Sequence, residues 1–219
     1  MTTAPTFLCP LCHDDASKSL VYQTRKKRRY WQCSSCELIF VDPSSLPTLD
    51  VERSVYQHHE NSPSHAGYVA FLQRIIAPAL AYLHADMRGL DFGCGPGPTL
   101  SILLEREGIA CANYDPLFFP DKPNGVYDFI FATECFEHFH QPSRELSQLY
   151  SLLAINGYLF VMTDLYDDSI DFRTWYYKCD PTHVSFYKRR SIQYICQQYG
   201  FRLLELRDER IILLQRTGG

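Results

Sequence analysis

The sequence predicts an α/β fold, with a mostly parallel sheet closed by a C-terminal antiparallel hairpin and preceded by a small cysteine-bearing module. Three observations carry that prediction. From residue 67 onward, short apolar runs alternate with segments of helical spacing. The stretch LDFGCGPG sets Gly93, Gly95 and Gly97 between an apolar run and a helix-forming segment. Such a turn holds a nucleotide-like ligand at the carboxyl edge of an α/β sheet. Finally, Cys9/Cys12 and Cys33/Cys36 form two C-x2-C pairs separated by 20 residues.

Length and composition bound the rest. A chain of 219 residues, 46% hydrophobic, holds one full-sized domain and a small appendage. The net charge of −4 favours no class of polyanionic partner. No run of 18 apolar residues exists, so no membrane span is expected. The N-terminal MTTAPTFLCPLC has no basic region followed by an apolar core, so no secretory signal is read. The nine cysteines then read as reduced thiols of a cytoplasmic protein, some of them bound to metal.

The first module is assigned to residues 1–45. Each C-x2-C turn brings two thiolates to one ion, and two turns close a tetrahedral shell. Cys9, Cys12, Cys33 and Cys36 are therefore read as a structural zinc site, with buried free cysteines or an iron site as alternatives. Residues 21–23 and 30–32 are the expected ribbon strands. Their connection carries Arg25, Lys26, Lys27, Arg28 and Arg29. Five successive cations suit either phosphate contacts with a nucleic acid or a solvated turn.

Residues 46–66 read as a linker or lid, irregular and polar, with His58, His59 and His65. The remaining residues, 67–219, form the α/β domain. Helical spacing covers 67–83, with a break or kink expected at Pro78. After the glycine turn comes a helix over 99–107, then a strand ending at Asp115, 22 residues after Gly93. An acid at that distance suits ribose hydroxyls. Strands are expected at 126–132 and 158–163, with a helix at 143–153 capped by Asn156-Gly157. A helix at 188–199 ends at Gly200, and a strand pair turns at Arg207-Asp208.

LDFGCGPG with Asp115, then ECFEHF, then NGYLFVMT, resembles the class I S-adenosylmethionine-dependent methyltransferases over roughly residues 67–216. The C-x2-C ribbon combined with DPTHVSFY is similar to a type 23-like subgroup of small methyltransferases. The resemblance implies a Rossmann-like fold and S-adenosylmethionine as cofactor. It also implies that Asp91, Gly93, Gly95 and Gly97 form the cofactor loop and that Asp115 binds ribose. Leu117 and Phe118 would flank adenine, and Glu134 and Cys135 would lie near the methionine portion. A third βα unit normally follows the ribose acid. Here only ten residues, 116–125, with three prolines, fill that gap, so the unit is expected to be abbreviated. A dinucleotide oxidoreductase would instead show G-x-G-x-x-G, which this chain lacks.

Methyl transfer calls for alignment of a nucleophile and, for an oxygen, nitrogen or enolic carbon acceptor, a base near neutral pKa. His138 and His183 leave the carboxyl edge and are the candidate bases, with Glu137 or Asp180 to orient one. Trp175, Tyr176, Tyr177 and Phe186 are expected to wall a pocket for a small, ring-bearing or partly apolar acceptor. Two rival readings are an RNA or protein methyltransferase docking through the ribbon tip, and a cofactor-binding scaffold without turnover.

Overall fold

The structure is a computed structural model and describes residues 7–15, 17–57 and 61–218. Its centre is a six-stranded sheet. The strands are β4 (Arg88–Phe92), β5 (Ala110–Tyr114), β6 (Tyr127–Thr133), β7 (Leu153–Met162), β9 (Phe201–Arg207) and β10 (Ile211–Arg216), in the order β5-β4-β6-β7-β10-β9. Pairings β4/β5, β4/β6 and β6/β7 are parallel, whereas β10 runs antiparallel to both β7 and β9. A second sheet of four strands, all antiparallel pairs, contains β1 (Lys18–Gln23), β2 (Arg29–Cys33), β3 (Ile39–Val41) and β8 (Ser185–Phe186).

Period-two alternation explains how the large sheet is buried on both faces. Phe129, Phe131, Phe160, Met162, Ile211 and Leu213 point to one side. There they meet α2 (Ala66–Ala79) and α3 (Thr99–Arg106) through Leu72, Ile75, Ile76, Leu100, Leu103 and Leu104. Ile130, Ala132, Leu159, Val161, Ile212 and Leu214 point to the other side. They pack with α4 (Pro142–Leu152) and α5 (Arg189–Tyr199) through Leu146, Leu149, Ile192 and Ile195. Cys9, Cys33, Cys36, Trp31 and Phe40 belong to that same cluster, so the cysteine module shares a core with the α/β sheet.

Several elements depart from expectation. Pro78 does not break α2. It lies in the last turn, and the chain passes through a 3₁₀ turn at Leu80–Tyr82. The lid is not wholly irregular, since α1 (Leu49–Tyr56) forms within it. His65 caps α2 by accepting the Tyr68 amide at 3.0 Å, while His58 and His59 lie outside the described residues. Asn156-Gly157 does not cap α4. β7 begins directly at Leu153, and Asn156 sits at φ 64 within a register irregularity. The abbreviated unit is as expected: the sheet ends on β5, and residues 116–125 contain no strand or helix. No helix among the described residues is long and apolar enough to cross a membrane.

Candidate active site

The carboxyl ends of β4, β5 and β6 open into a cavity of about 820 Å³. On one side lie Gly93, Gly95, Asp115 and Leu117, and on the other Glu134, His138, Tyr177, Asp180, His183 and Arg210. An irregular strand-to-helix turn builds the first wall. Gly93 adopts φ +82, and a Cβ there would stand 2.6 Å from the Cys135 sulfur, so only glycine fits. Gly97 faces the lid, where a Cβ would stand 2.2 Å from the Asn61 carbonyl oxygen. The Asn61 carbonyl also accepts from Thr99 Oγ1 at 2.9 Å.

Asp115 organises this wall. Its Oδ1 accepts the Leu117 and Phe118 amides at 2.8 and 3.1 Å, and its Oδ2 accepts the Gly95 amide at 3.1 Å. A carboxylate has about four lone-pair sites, so one remains for a ligand hydroxyl. Asp91 is buried directly behind, and desolvation, reinforced by Asp115, raises its pKa to about 7. Of the residues expected to hold a cofactor, Gly93, Gly95, Asp115, Leu117, Glu134 and Cys135 border the cavity. Asp91, Gly97 and Phe118 do not.

The opposite wall is polar. Glu134 follows β6 with φ 48, a left-handed backbone unusual for a non-glycine residue. Its Oε2 accepts from Arg210 Nη2 at 2.7 Å, while its Oε1 is buried without a partner. Arg210 also reaches Asp164 at 3.3 Å and the Tyr176 hydroxyl at 3.0 Å. Glu137 is fully buried, with Oε1 accepting from the Tyr177 hydroxyl at 2.6 Å and Oε2 from Thr163 Oγ1 at 2.9 Å. Burial raises the pKa of both glutamates, and in Glu134 the Glu137 charge adds to it.

Both expected histidines are here. Their ring centroids are 4.8 Å apart. His138 Nδ1 contacts the Thr182 carbonyl at 3.2 Å and His183 Nδ1 the Tyr177 carbonyl at 2.6 Å. A carbonyl only accepts, so both rings donate from Nδ1 and keep the Nε2 lone pair. Burial lowers both pKa values, that of His183 to about 3 with His138 adding to the effect, so the rings are neutral near pH 7. Asp180 is held below its usual range, because the Thr182 hydroxyl and amide outweigh its burial. Tyr176 and Tyr177 border the cavity as expected, but Trp175 and Phe186 do not. These two pack with Tyr30 and Phe172 in a separate aromatic core.

The lid and the module complete the site. α1 closes over the cavity with Leu49, Glu52 and Tyr56. Glu52 Oε1 meets His140 Nε2 at 2.7 Å, and Tyr56 packs edge-on against His138 at 5.2 Å. Arg28 reaches from the ribbon tip to donate to the Pro181 and His183 carbonyls at 2.9 and 2.7 Å. Arg29 pairs with Asp42 at 2.9 Å, whereas Arg25, Lys26 and Lys27 are exposed. The four cysteines cluster as their spacing predicts, with Cys9–Cys36 and Cys12–Cys33 sulfur separations of 3.6 and 3.5 Å. Sequence reasoning did not place Glu52, Tyr56, Tyr68, Phe71 or Arg210 at the cavity, since no motif marks them.

The family described as "Methyltransferase domain" (methyltransferase type 23) matches residues 56–206. No curated protein matches the sequence. Among solved structures, the chain is similar to 1,6-didemethyltoxoflavin-N1-methyltransferase from Burkholderia thailandensis, bound to 1,6-didemethyltoxoflavin and S-adenosylhomocysteine. That likeness has TM-score 0.54 and 16% identity, over 93% of this chain and 100% of the other. It is also similar to magnesium protoporphyrin IX methyltransferase from Synechocystis PCC 6803 with bound S-adenosylhomocysteine. There the TM-score is 0.53 and the identity 18%, over 77% of this chain and 93% of that one. At these identities the likeness is one of fold.

Proposed function

From the premise that this chain belongs to the type 23 methyltransferase-domain family, we propose that it transfers the methyl group of S-adenosylmethionine to a small, partly apolar acceptor. The observation that carries the reading is the single cavity running from Asp115 to His183. One of its walls suits a nucleoside and the other a group that must lose a proton. When bound, S-adenosylmethionine supplies a methyl group already activated on a sulfonium. The protein's part is alignment and proton handling.

Asp115 offers its remaining lone pair to a ribose hydroxyl, and the Gly93–Gly95 backbone lies open to the amino-acid portion. Leu117 offers the apolar contact for adenine. Phe118 does not line the cavity, and the abbreviated third unit leaves that side of the ring less enclosed. Glu134 and Cys135 flank the methionine portion, and Asp91 supports the loop from behind. The acceptor lies between Tyr176, Tyr177 and the Nε2 atoms of His138 and His183. In the metal-free protein these neutral imidazoles take up the acceptor's proton-bearing group at Nε2. His183 does so as a weak base, because burial holds its pKa at about 3, with Asp180 beside it at 4.0 Å. The buried Cys9/Cys12/Cys33/Cys36 cluster suits a closed structural zinc site. Reduced thiols and a closed zinc site fit a cytoplasmic setting.

Calorimetry with S-adenosylhomocysteine tests the donor half: Asp115→Ala should weaken binding at least about tenfold. An acceptor screen with isotopically labelled cofactor tests the rest. With an acceptor in hand, His183→Ala and His138→Ala should each lower turnover at saturating cofactor by about 10²–10⁴-fold. Unchanged turnover in both removes the base assignment.

A further inference from the structure

The acceptor wall holds more ligand atoms than proton transfer needs. Glu137, His138 and His183 each bring one ligand atom to within 4.8 Å of the others. His138 Nε2 lies 4.0 Å from Glu137 Oε1, and His183 Nε2 lies 4.0 Å from Asp180 Oδ2. We propose that these side chains form a second metal centre, distinct from the four-cysteine cluster. It would bind a divalent first-row transition metal through two imidazole nitrogens and the Glu137 carboxylate.

Four features of the site support the assignment. Each imidazole has its Nδ1–H fixed by a backbone carbonyl, of Thr182 for His138 and of Tyr177 for His183. That is how ligating histidines are oriented with Nε2 free for the ion. Glu137 is likewise held at both oxygens by Tyr177 and Thr163, as ligating carboxylates are. Third, Glu134 and Asp180 line the cavity beside the two histidines, and Glu137 is buried behind them. Last, Glu134 Oε1 is buried beside the group without a hydrogen-bond partner.

Two nitrogens and a carboxylate, with no thiolate, suit Mn²⁺ through Zn²⁺ and leave coordination positions open toward the cavity. Reaching bonds of about 2.0–2.2 Å requires the rings and carboxylate to converge by roughly an ångström. The site then selects acceptors with an oxygen donor. An ion held there would polarise an acceptor hydroxyl and lower its pKa, and the imidazoles would then hold the ion rather than a proton.

The meaning given to the acceptor rests on the methyl-transfer reading, but metal binding can be measured without it. Full-length protein with zinc in the cysteine cluster is titrated with Co²⁺. The expected result is one further equivalent, with d–d absorption and no added thiolate charge-transfer band. His183→Ala and His138→Ala should each weaken that equivalent at least about tenfold. Both should still bind S-adenosylhomocysteine, which shows that they are folded, and His183→Gln serves where the alanine variant is not. No second equivalent in the wild type, or an undiminished one in both histidine variants, overturns the proposal. Failure of the wild type to bind S-adenosylhomocysteine would instead overturn the methyl-transfer reading, whatever the cobalt titration shows.

Discussion

At the scale of residues, the site rests on a few positions that tolerate no alternative. Gly93 combines φ +82 with a sulfur 2.6 Å from the missing Cβ. Gly93→Ala should therefore destabilise the fold by about 1–3 kcal/mol, read from urea unfolding, and weaken S-adenosylhomocysteine binding. Asp91 offers a pH test. Its pKa is raised from 3.8 to about 7 by burial and then by Asp115, so the folded protein keeps a proton that the unfolded chain releases. Its contribution to stability is full below pH 3.8 and is lost as the pH rises through about 7. Asp91→Asn should flatten the fall in stability between those limits, and an unchanged slope would refute the assignment. Gly93 and Asp115 were legible in the sequence because a tight turn and a strand-end acid are local requirements. Arg210, Glu52 and Tyr56 were not, because each reaches the cavity through tertiary placement, from a hairpin turn and a lid helix.

At the scale of elements, the four-stranded sheet links the cysteine module to the acceptor wall. β8 begins two residues after His183 and pairs with β3 through Ile39–Phe186 and Phe40–Ser185. Val41 also donates to the Val184 carbonyl at 2.9 Å, and Arg28 holds the carbonyls of Pro181 and His183. Arg28→Ala should cost about 1–2 kcal/mol, the low end for charged hydrogen bonds because the side chain is half-exposed. Removing the metal expected at the cysteines should raise hydrogen exchange across residues 181–187. The affinity for S-adenosylhomocysteine should stay within about tenfold, roughly 1.4 kcal/mol. Equal loosening of the glycine turn would contradict this division of labour. The two C-x2-C pairs announced their cluster, but nothing in their spacing announced β8. Its partner strand lies more than a hundred residues away in the chain, and two-residue strands carry no periodicity. The abbreviated third unit was legible by length alone, since ten residues cannot form both a strand and a helix. The lid helix α1 was missed because its sequence is mostly polar, with Glu52 turned inward to His140.

At the scale of the whole molecule, charge is divided unevenly. Residues 1–45 hold six Lys/Arg against four Asp/Glu within a chain of net charge −4. Arg28 and Arg29 have intramolecular partners, which leaves Arg25, Lys26 and Lys27 exposed at the tip. If a single-stranded nucleic acid docks there, three phosphate contacts predict a slope of log affinity on log salt of about −2. Affinity that is flat with salt would exclude that partner. The sheet order has a different consequence, for how the chain folds. β9 reaches β7 only through β10, which follows every other strand of that sheet in the chain. During synthesis the parallel strands can therefore assemble early, but β7 keeps an open edge until Ile211–Arg216 emerges. Local pairing forms the β9/β10 hairpin quickly, and its docking onto β7 becomes the late, long-range step. A ribosome-stalled chain ending before residue 211 should thus expose an apolar edge that chaperones would recognise.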